Sequence, residues 1–385
     1  MAHRIILNET SYFGPGAISV LPDEVSRRKF KKAFIVTDQD LVKFGVAAKV
    51  TGILDAANIP YELYDKVKPN PTIANVQTGV SLYAAAQADF IIAIGGGSPI
   101  DTAKAIGIIT TNPQFSDVRS LEGCAATTAK SVPIIAVPTT AGTAAEVTIN
   151  YVITDEQAVK KMVCVDPNDI PIVSIVDPEL MASMPKGLTA ATGMDALTHA
   201  IEGYITKGAW EMTDMFELKS IELIARNLET AVHQPDDMDA RNGMALAQYI
   251  AGMGFSNVGL GIVHSMAHPL GAFYDTPHGV ANALLLPYVM EYNAPATGEK
   301  YREIAKAMGV AGTETMSCDE YRQAAVAAVK TLSQTIAIPQ KLREIGVKEA
   351  DLPALAQSAF EDVCTPGNPR DTTLEEILEL YRKAY

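Results

Sequence analysis

Positive charge is scarce in this chain. Its 385 residues carry 31 Lys and Arg against 45 Asp and Glu, a formal net charge of −14. A phosphate backbone demands clustered cations, so nucleic acid is excluded as a partner. A polybasic membrane anchor is excluded on the same ground. Cysteine is equally sparse: Cys124, Cys164, Cys318 and Cys364 stand far apart with no CxxC pair. That spacing supports neither a disulfide framework nor a thiolate zinc site, and most of the four are expected to be buried thiols in a reducing compartment. No GxSxG elbow seats a nucleophilic serine, no GxGxxG fingerprint occurs, and no pair of carboxylates has a distinctive spacing. The longest stretch free of Asp, Glu, Lys and Arg runs from Asn242 to Tyr274, but Gln248, Asn257, His264, His268 and Pro269 interrupt it. Polar groups in lipid are costly, so this reads as a buried segment and not a membrane span. Asn8 and Glu9 directly follow the short apolar run of the N-terminus, which is not the pattern of a signal peptide. A cytoplasmic protein is expected.

Apolar residues make up 48% of the chain and charged residues 20%, enough to bury a large core over two domains. In the first half, strand and helix signals alternate. Ala33–Asp38, Tyr61–Asp65, Phe90–Gly97, Val132–Thr139, Met162–Asp166 and Pro171–Asp177 are apolar runs closed by turn residues, the pattern of parallel strands covered on both faces. Thr72–Gln87 and Pro99–Ile109 read as helices between them, and Arg4–Asn8 as one more strand outside the alternation. Beyond about Pro185 only 3.6-residue periodicity remains, and a final helix is signalled by Thr372 with Glu375. The fold class is α/β plus all-α: a parallel-sheet nucleotide-binding domain over 1–185 and a helical metal-binding domain over 186–385.

Gly95-Gly96-Gly97-Ser98 closes one strand and opens a helix through Asp101 and Lys104. Glycines let the backbone approach a ligand, and a helix N-terminus offers N–H groups to a phosphate. A tight strand–helix turn would use the same glycines, so the placement after an apolar strand is what favours phosphate binding. The acidic residue able to take a ribose hydroxyl, Asp38, lies before the glycines, the reverse of the Rossmann order; alone it reads as a turn residue. A second loop, Pro138–Glu146, follows another strand with hydroxyls and small side chains. Two such loops suggest a dinucleotide along the carboxyl edge of the sheet.

Six histidines are present, and His264, His268 and His278 fall within fifteen residues. His199 lies four residues after Asp195, on one helical face, and His264 and His268 have the same spacing. A single histidine of this kind is ordinarily a hydrogen-bonded core residue. Several of them in a run with no Lys or Arg from Asn242 to Glu299 need compensation that a metal provides, and the N/O donor set suits Zn²⁺ or Fe²⁺ equally.

Taken together, GGGSPIDTAK (Gly95–Lys104), PTTAGTAAEVT (Pro138–Thr148), Asp195-x-x-x-His199 and GIVHSMAHPLGAFYDTPHG (Gly261–Gly279) resemble the iron-containing alcohol dehydrogenases over essentially the whole chain. The resemblance implies an active cleft between the two domains and reversible hydride transfer between NAD(H) and a small neutral alcohol or aldehyde, with lactaldehyde and 1,2-propanediol as the expected pair. It implies Fe²⁺, with Zn²⁺ as the alternative, on Asp195, His199, His264 and His278, and a catalytic role for His268 off the metal. Asp38, Asn70, Gly96, Gly97, Ser98, Asp101, Thr139, Thr140, Thr143 and Lys161 would contact the cofactor. Asn150, Val152, Phe255 and Cys364 would line the substrate pocket. A homodimer is implied, with possible exchange of the first strand. One small departure from the nearest pattern within the family is Asp275, between Tyr274 and His278, a carboxylate in place of a neutral amide that would alter the charge around the metal. The competing activities are a 1,3-propanediol or glycerol dehydrogenase of the same family, a dehydroquinate synthase-like lyase, and a non-catalytic NAD-binding or metal-storage protein. The lyase would need cations around its substrate phosphate, and residues 242–299 supply none.

Overall fold

The computed structural model describes residues 2–385, which form two compact units: residues up to Thr140 with Ala144–Ser183, and Ala141–Thr143 with Met184–Tyr385. In the first unit the strands are β1 (Thr10–Phe13), β2 (Ala33–Val36), β3 (Tyr61–Tyr64), β4 (Phe90–Gly95), β5 (Ile134–Pro138), β6 (Asn150–Asp155), β7 (Lys160–Val165) and β8 (Val173–Val176). Six of them pair in parallel in the order β1-β8-β5-β4-β2-β3. The helices are α1 (Leu21–Arg28), α2 (Gln39–Lys43), α3 (Val46–Ala56), α4 (Ile73–Ala86) and α5 (Gly97–Thr111). Side chains alternate across the strands, so Phe34, Val36, Ile91 and Ala93 feed one core while Ala33, Ile35, Ile92 and Ile94 feed the other. That two-sided burial is why these strands are continuous apolar runs.

The strand order reverses at β2 and β4: β2 is followed by β3 on one side, and β4 by β5 on the other. Val36 stands opposite Ala93 and Gly95 opposite Pro138, so the loops after β2, β4 and β5 emerge side by side at the carboxyl edge. This is the crevice where open α/β sheets take ligands. It also explains why the acidic residue precedes the glycines here: the strand before the glycine loop is its spatial neighbour.

Two expected strands differ. Arg4–Asn8 is irregular, and the strand begins at Thr10. Asn8 is held there by its side-chain amide, which donates to Glu146 O and Pro171 O at 2.8 and 2.6 Å. Met162–Val165 lies within β7, which Asp166 follows and which pairs with β6 in an antiparallel hairpin outside the main sheet. Its apolar run reflects burial, which a hairpin packed on the domain provides as fully as a parallel sheet.

The second unit is helical: α6 (Lys186–Ile205), α7 (Glu211–His233), α8 (Met238–Val258), α9 (Ile262–Tyr274), α10 (His278–Asn293), α11 (Lys300–Ala307), α12 (Cys318–Thr335), α13 (Leu352–Phe360) and α14 (Leu374–Ala384). Among the described residues no strand follows Val176. Helix α6 packs on α7, α8 and α10, and α9 packs on α10 and α13. No single helix is long and apolar enough to cross a membrane, and the run from Asn242 to Tyr274 falls on α8 and α9, which are bent by 102° at their break. The cap of α14 is Thr373 and not Thr372: Thr373 N–H donates to Glu376 and Glu376 N–H to Thr373 Oγ1, while the Thr372 hydroxyl turns to Arg370 O. The cysteines are also less buried than expected. Cys164 is buried, Cys364 is half-buried, and Cys124 and Cys318 are exposed.

Candidate metal centre and nucleotide loops

Four side chains from three helices converge in the second unit. Asp195 and His199 come from α6, His264 from α9 and His278 from the first position of α10. One ligand atom of each lies within 4.8 Å of all the others. Close backbone approach makes this possible. A Cβ at Gly279 would lie 2.5 Å from Ala191 O, and one at Gly142 would lie 2.7 Å from Thr192 O. Only glycine lets α10 and the Gly142 loop lie so near α6.

The donors suit a cation. Burial pushes His199 down to about 4 and His264 to about 3, so both imidazoles are neutral, as ligation requires. Asp195 Oδ1, His264 Nε2 and His278 Nε2 all face the amide nitrogen of Asn282, at 2.7, 3.1 and 3.1 Å. That NH₂ group has two protons for three lone pairs, and its own carbonyl oxygen is buried without a partner. Three lone pairs aimed at one small volume are what a divalent ion uses.

Behind the donors lies a second layer. The His264 Nδ1–H donates to Glu202 Oε2 at 2.6 Å. Glu202 also accepts from Val263 N and His264 N, at 2.7 and 3.4 Å, so it caps α9 and fixes the tautomer of its first ligand together. His268, one turn beyond His264, donates from Nδ1 to Asp362 Oδ2 at 2.7 Å. Asp362 Oδ1 accepts from Cys364 N at 2.9 Å. Burial opposes the charge of Asp362, but the His268 partner holds its carboxyl below the usual range. Burial pushes the Cys364 thiol well up. Phe255 stacks on the His199 ring at 4.2 Å. Asp275 is exposed and ends α9 in the left-handed conformation, φ 53°. Glu202, Asn282 and Asp362 are absent from the sequence-derived site. Glu202 and Asn282 carried a signal, lying three residues after His199 and four after His278 on the same helical faces; Asp362 carried none.

In the first unit the nucleotide candidates gather at the carboxyl edge. Gly95 has φ 154°, and a Cβ there would strike Pro99 at 2.4 Å, so this turn requires glycine. Gly96 caps α5 without a side-chain hydrogen bond, leaving the N–H groups at Gly97 and Ser98 to a ligand. Thr139 N–H donates to Gly95 O at 3.0 Å, and Thr140 lies against Gly96. Lys161 Nζ donates to Asn70 Oδ1 at 2.5 Å. Asp38 caps α2 by accepting from Leu41 N at 2.9 Å. Asp101 and Lys104 turn toward β6: Asp101 accepts from Val152 N at 3.1 Å, and buried Lys104 donates to Thr148 O and Asn150 O at 2.6 and 2.8 Å. Asn150 and Val152 are thereby tied to α5. Thr143 belongs to the other compact unit, as do Phe255 and Cys364.

A family model described as iron-containing alcohol dehydrogenase matches residues 8–178, and one for the C-terminal part of the Fe-containing alcohol dehydrogenase family matches residues 189–385. The chain belongs to the iron-containing alcohol dehydrogenases. Within that family it is 62% identical to lactaldehyde reductase of Escherichia coli, over 100% of both chains. A crystal structure of 1,3-propanediol oxidoreductase superposes with a TM-score of 0.96 at 44% identity, covering 100% of each chain. Sulfoacetaldehyde reductase from Bifidobacterium kashiwanohense, solved in complex with NAD⁺, gives a TM-score of 0.87 at 29% identity, covering 100% of this chain and 99% of that one.

Two outcomes follow. Replacing His264 or His278 by Ala removes the bound metal with the fold retained, Glu202→Gln weakens metal affinity about 10- to 100-fold, and His268→Ala keeps the metal. Iron content of protein loaded with Fe²⁺ and then dialysed checks all three, and loss of iron from the His268 variant overturns the division of roles. The other concerns Asp101, whose carboxyl burial pushes up to about 7, against about 3.9 when unfolded. The native state therefore holds this proton more tightly between about pH 4 and 7, and the stability it contributes is lost as pH rises through that window. Asp101→Asn keeps the acceptor for Val152 and removes the charge. Its Tm relative to wild type rises from pH 4 to pH 8, and a difference independent of pH refutes the assignment.

Proposed function

We propose that this protein is an NAD-dependent, iron-dependent lactaldehyde reductase, interconverting lactaldehyde and 1,2-propanediol. The observation that carries the reading is the convergence of Asp195, His199, His264 and His278 in a chain 62% identical to a lactaldehyde reductase. When bound, the ion supplies Lewis-acid polarisation of the substrate oxygen and the nicotinamide supplies hydride. The chain's own residues do the rest. The loops at Gly96–Ser98 and Thr139–Thr140 take the cofactor's phosphates, and the Asn70–Lys161 pair supplies a further polar contact to it. Asp38 accepts from a ribose hydroxyl and repels a 2′-phosphate. His268, its Nδ1–H fixed on Asp362, takes up or returns the alcohol proton at Nε2. Phe255 and Cys364, in the unit that holds the metal donors, shape a pocket for a short hydroxyaldehyde. With no cation from Asn242 to Glu299, that pocket disfavours anionic substrates, because an unpaired buried charge costs several kcal/mol.

The same reading places the enzyme in the cytoplasm, in the reduction of aldehydes from fucose and glycol breakdown. It makes the enzyme a homodimer, with the segment around edge strand β1 as the element exchanged. The likeness to 1,3-propanediol oxidoreductase favours 3-hydroxypropanal as the second candidate.

The test is NADH oxidation across short aldehydes, using metal-free protein reloaded anaerobically. Lactaldehyde is expected to give the highest kcat/KM, Fe²⁺ to restore more activity than Zn²⁺, and air to abolish the iron-dependent part. Preference for 3-hydroxypropanal moves the assignment to the second candidate. Preference for glyceraldehyde 3-phosphate refutes the neutral pocket. Asp38→Gly raises the kcat/KM ratio of NADPH to NADH; an unchanged ratio shows that Asp38 does not meet the ribose.

A further inference from the structure

Beside the four converging donors lies a second group of a different chemical kind. His268, Asp362 and Cys364 each place a ligand atom within 4.8 Å of the other two. His268 Nδ1 already lies 2.7 Å from Asp362 Oδ2, and the Cys364 backbone N–H holds the other carboxylate oxygen at 2.9 Å. The carboxylate is thus aimed and anchored before any ion arrives. The His268 ring stands 5.5 Å from that of His278 and 6.2 Å from that of His264, so the group adjoins the first without sharing a residue. We propose that His268, Asp362 and Cys364 form a second divalent-cation site, selective for a thiophilic ion such as Zn²⁺, whose occupancy inhibits the enzyme.

The selectivity follows from the donors. The first group is three imidazoles and a carboxylate. The second contributes one nitrogen, one oxygen and one sulfur, a three-ligand set that zinc completes with water, and thiolate favours zinc over iron. Binding forms one bond each from the metal to Nδ1, Oδ2 and Sγ. The thiol proton leaves to solvent, the imidazole proton passes from Nδ1 to Nε2, and no oxidation state changes. With Nε2 protonated and the ring fixed on the ion, His268 no longer takes up the alcohol proton. Inhibition rests on the role proposed above for His268; binding does not.

The test uses iron-loaded protein kept anaerobic, with exposed Cys124 and Cys318 replaced by Ser. Titration with Co²⁺ is expected to add one equivalent beyond the iron and to produce a near-ultraviolet thiolate-to-cobalt band, with iron content unchanged. The first group has no sulfur and cannot give that band. Cys364→Ser abolishes it, and Asp362→Asn weakens binding about tenfold or more. Zn²⁺ lowers NADH oxidation by the parent reversibly, and Cys364→Ser requires about tenfold more Zn²⁺ for the same fractional loss. A missing band, or one that survives Cys364→Ser, overturns the site. A cobalt band with full turnover under saturating Zn²⁺ overturns the inhibition. Protein inactive toward every aldehyde still yields the cobalt result, which separates failure of this site from failure of the proposed reaction.

Discussion

The carboxylate of Glu202 accepts from the His264 ring at 2.6 Å and from two backbone N–H groups at the start of α9, and the geometry of the ligand cluster is built around that junction. Neutral imidazoles in a dry core need both nitrogens accounted for. Glu202 settles one nitrogen of His264 and leaves the other for an ion. Because the same carboxylate caps α9, the direction in which that helix leaves the loop after α8 and the orientation of its first ligand are a single constraint. His268, one turn on, inherits its position from it.

In the first unit the equivalent constraint is the strand reversal at β2 and β4. It brings Asp38 level with the glycine loop although 57 residues separate Asp38 from Gly95 in sequence. It also gives α5 two tasks. Its N-terminus faces the carboxyl edge, and one and two turns later Asp101 and Lys104 hold the backbone of Val152, Asn150 and Thr148. One helix thus carries both the glycine loop and the anchors of the backbone at Asn150 and Val152.

What could be read from the residues divides along physical lines. Strands β2, β4, β5 and β8 were legible because burial on both faces demands unbroken apolar runs. The Met162–Asp166 run was equally legible as a strand but not as half of a hairpin, since burial says nothing about the direction of the partner. The strand expected at Arg4–Asn8 lies a few residues further on, because it is polar Thr10 and Ser11 that come into register with β8. The helix start was missed by one residue because Thr372 and Thr373 offer the same hydroxyl, and only three-dimensional neighbours send one to Arg370 and the other to the cap. The four converging donors stood out because imidazoles without cations nearby are conspicuous. Asp362 did not, because a lone aspartate in a polar segment looks like any surface carboxylate.

Gly279 carries one more consequence. With its α-carbon pressed toward Ala191 O, the spacing between the α6 pair and His278 is fixed by main chain against main chain, which has no rotamers to adjust. The cluster thus behaves as a rigid gauge along that direction, and His264 is held from its own side by Glu202. Any side chain at position 279 would have to part α10 from α6, and His278 from Asp195 and His199 with them.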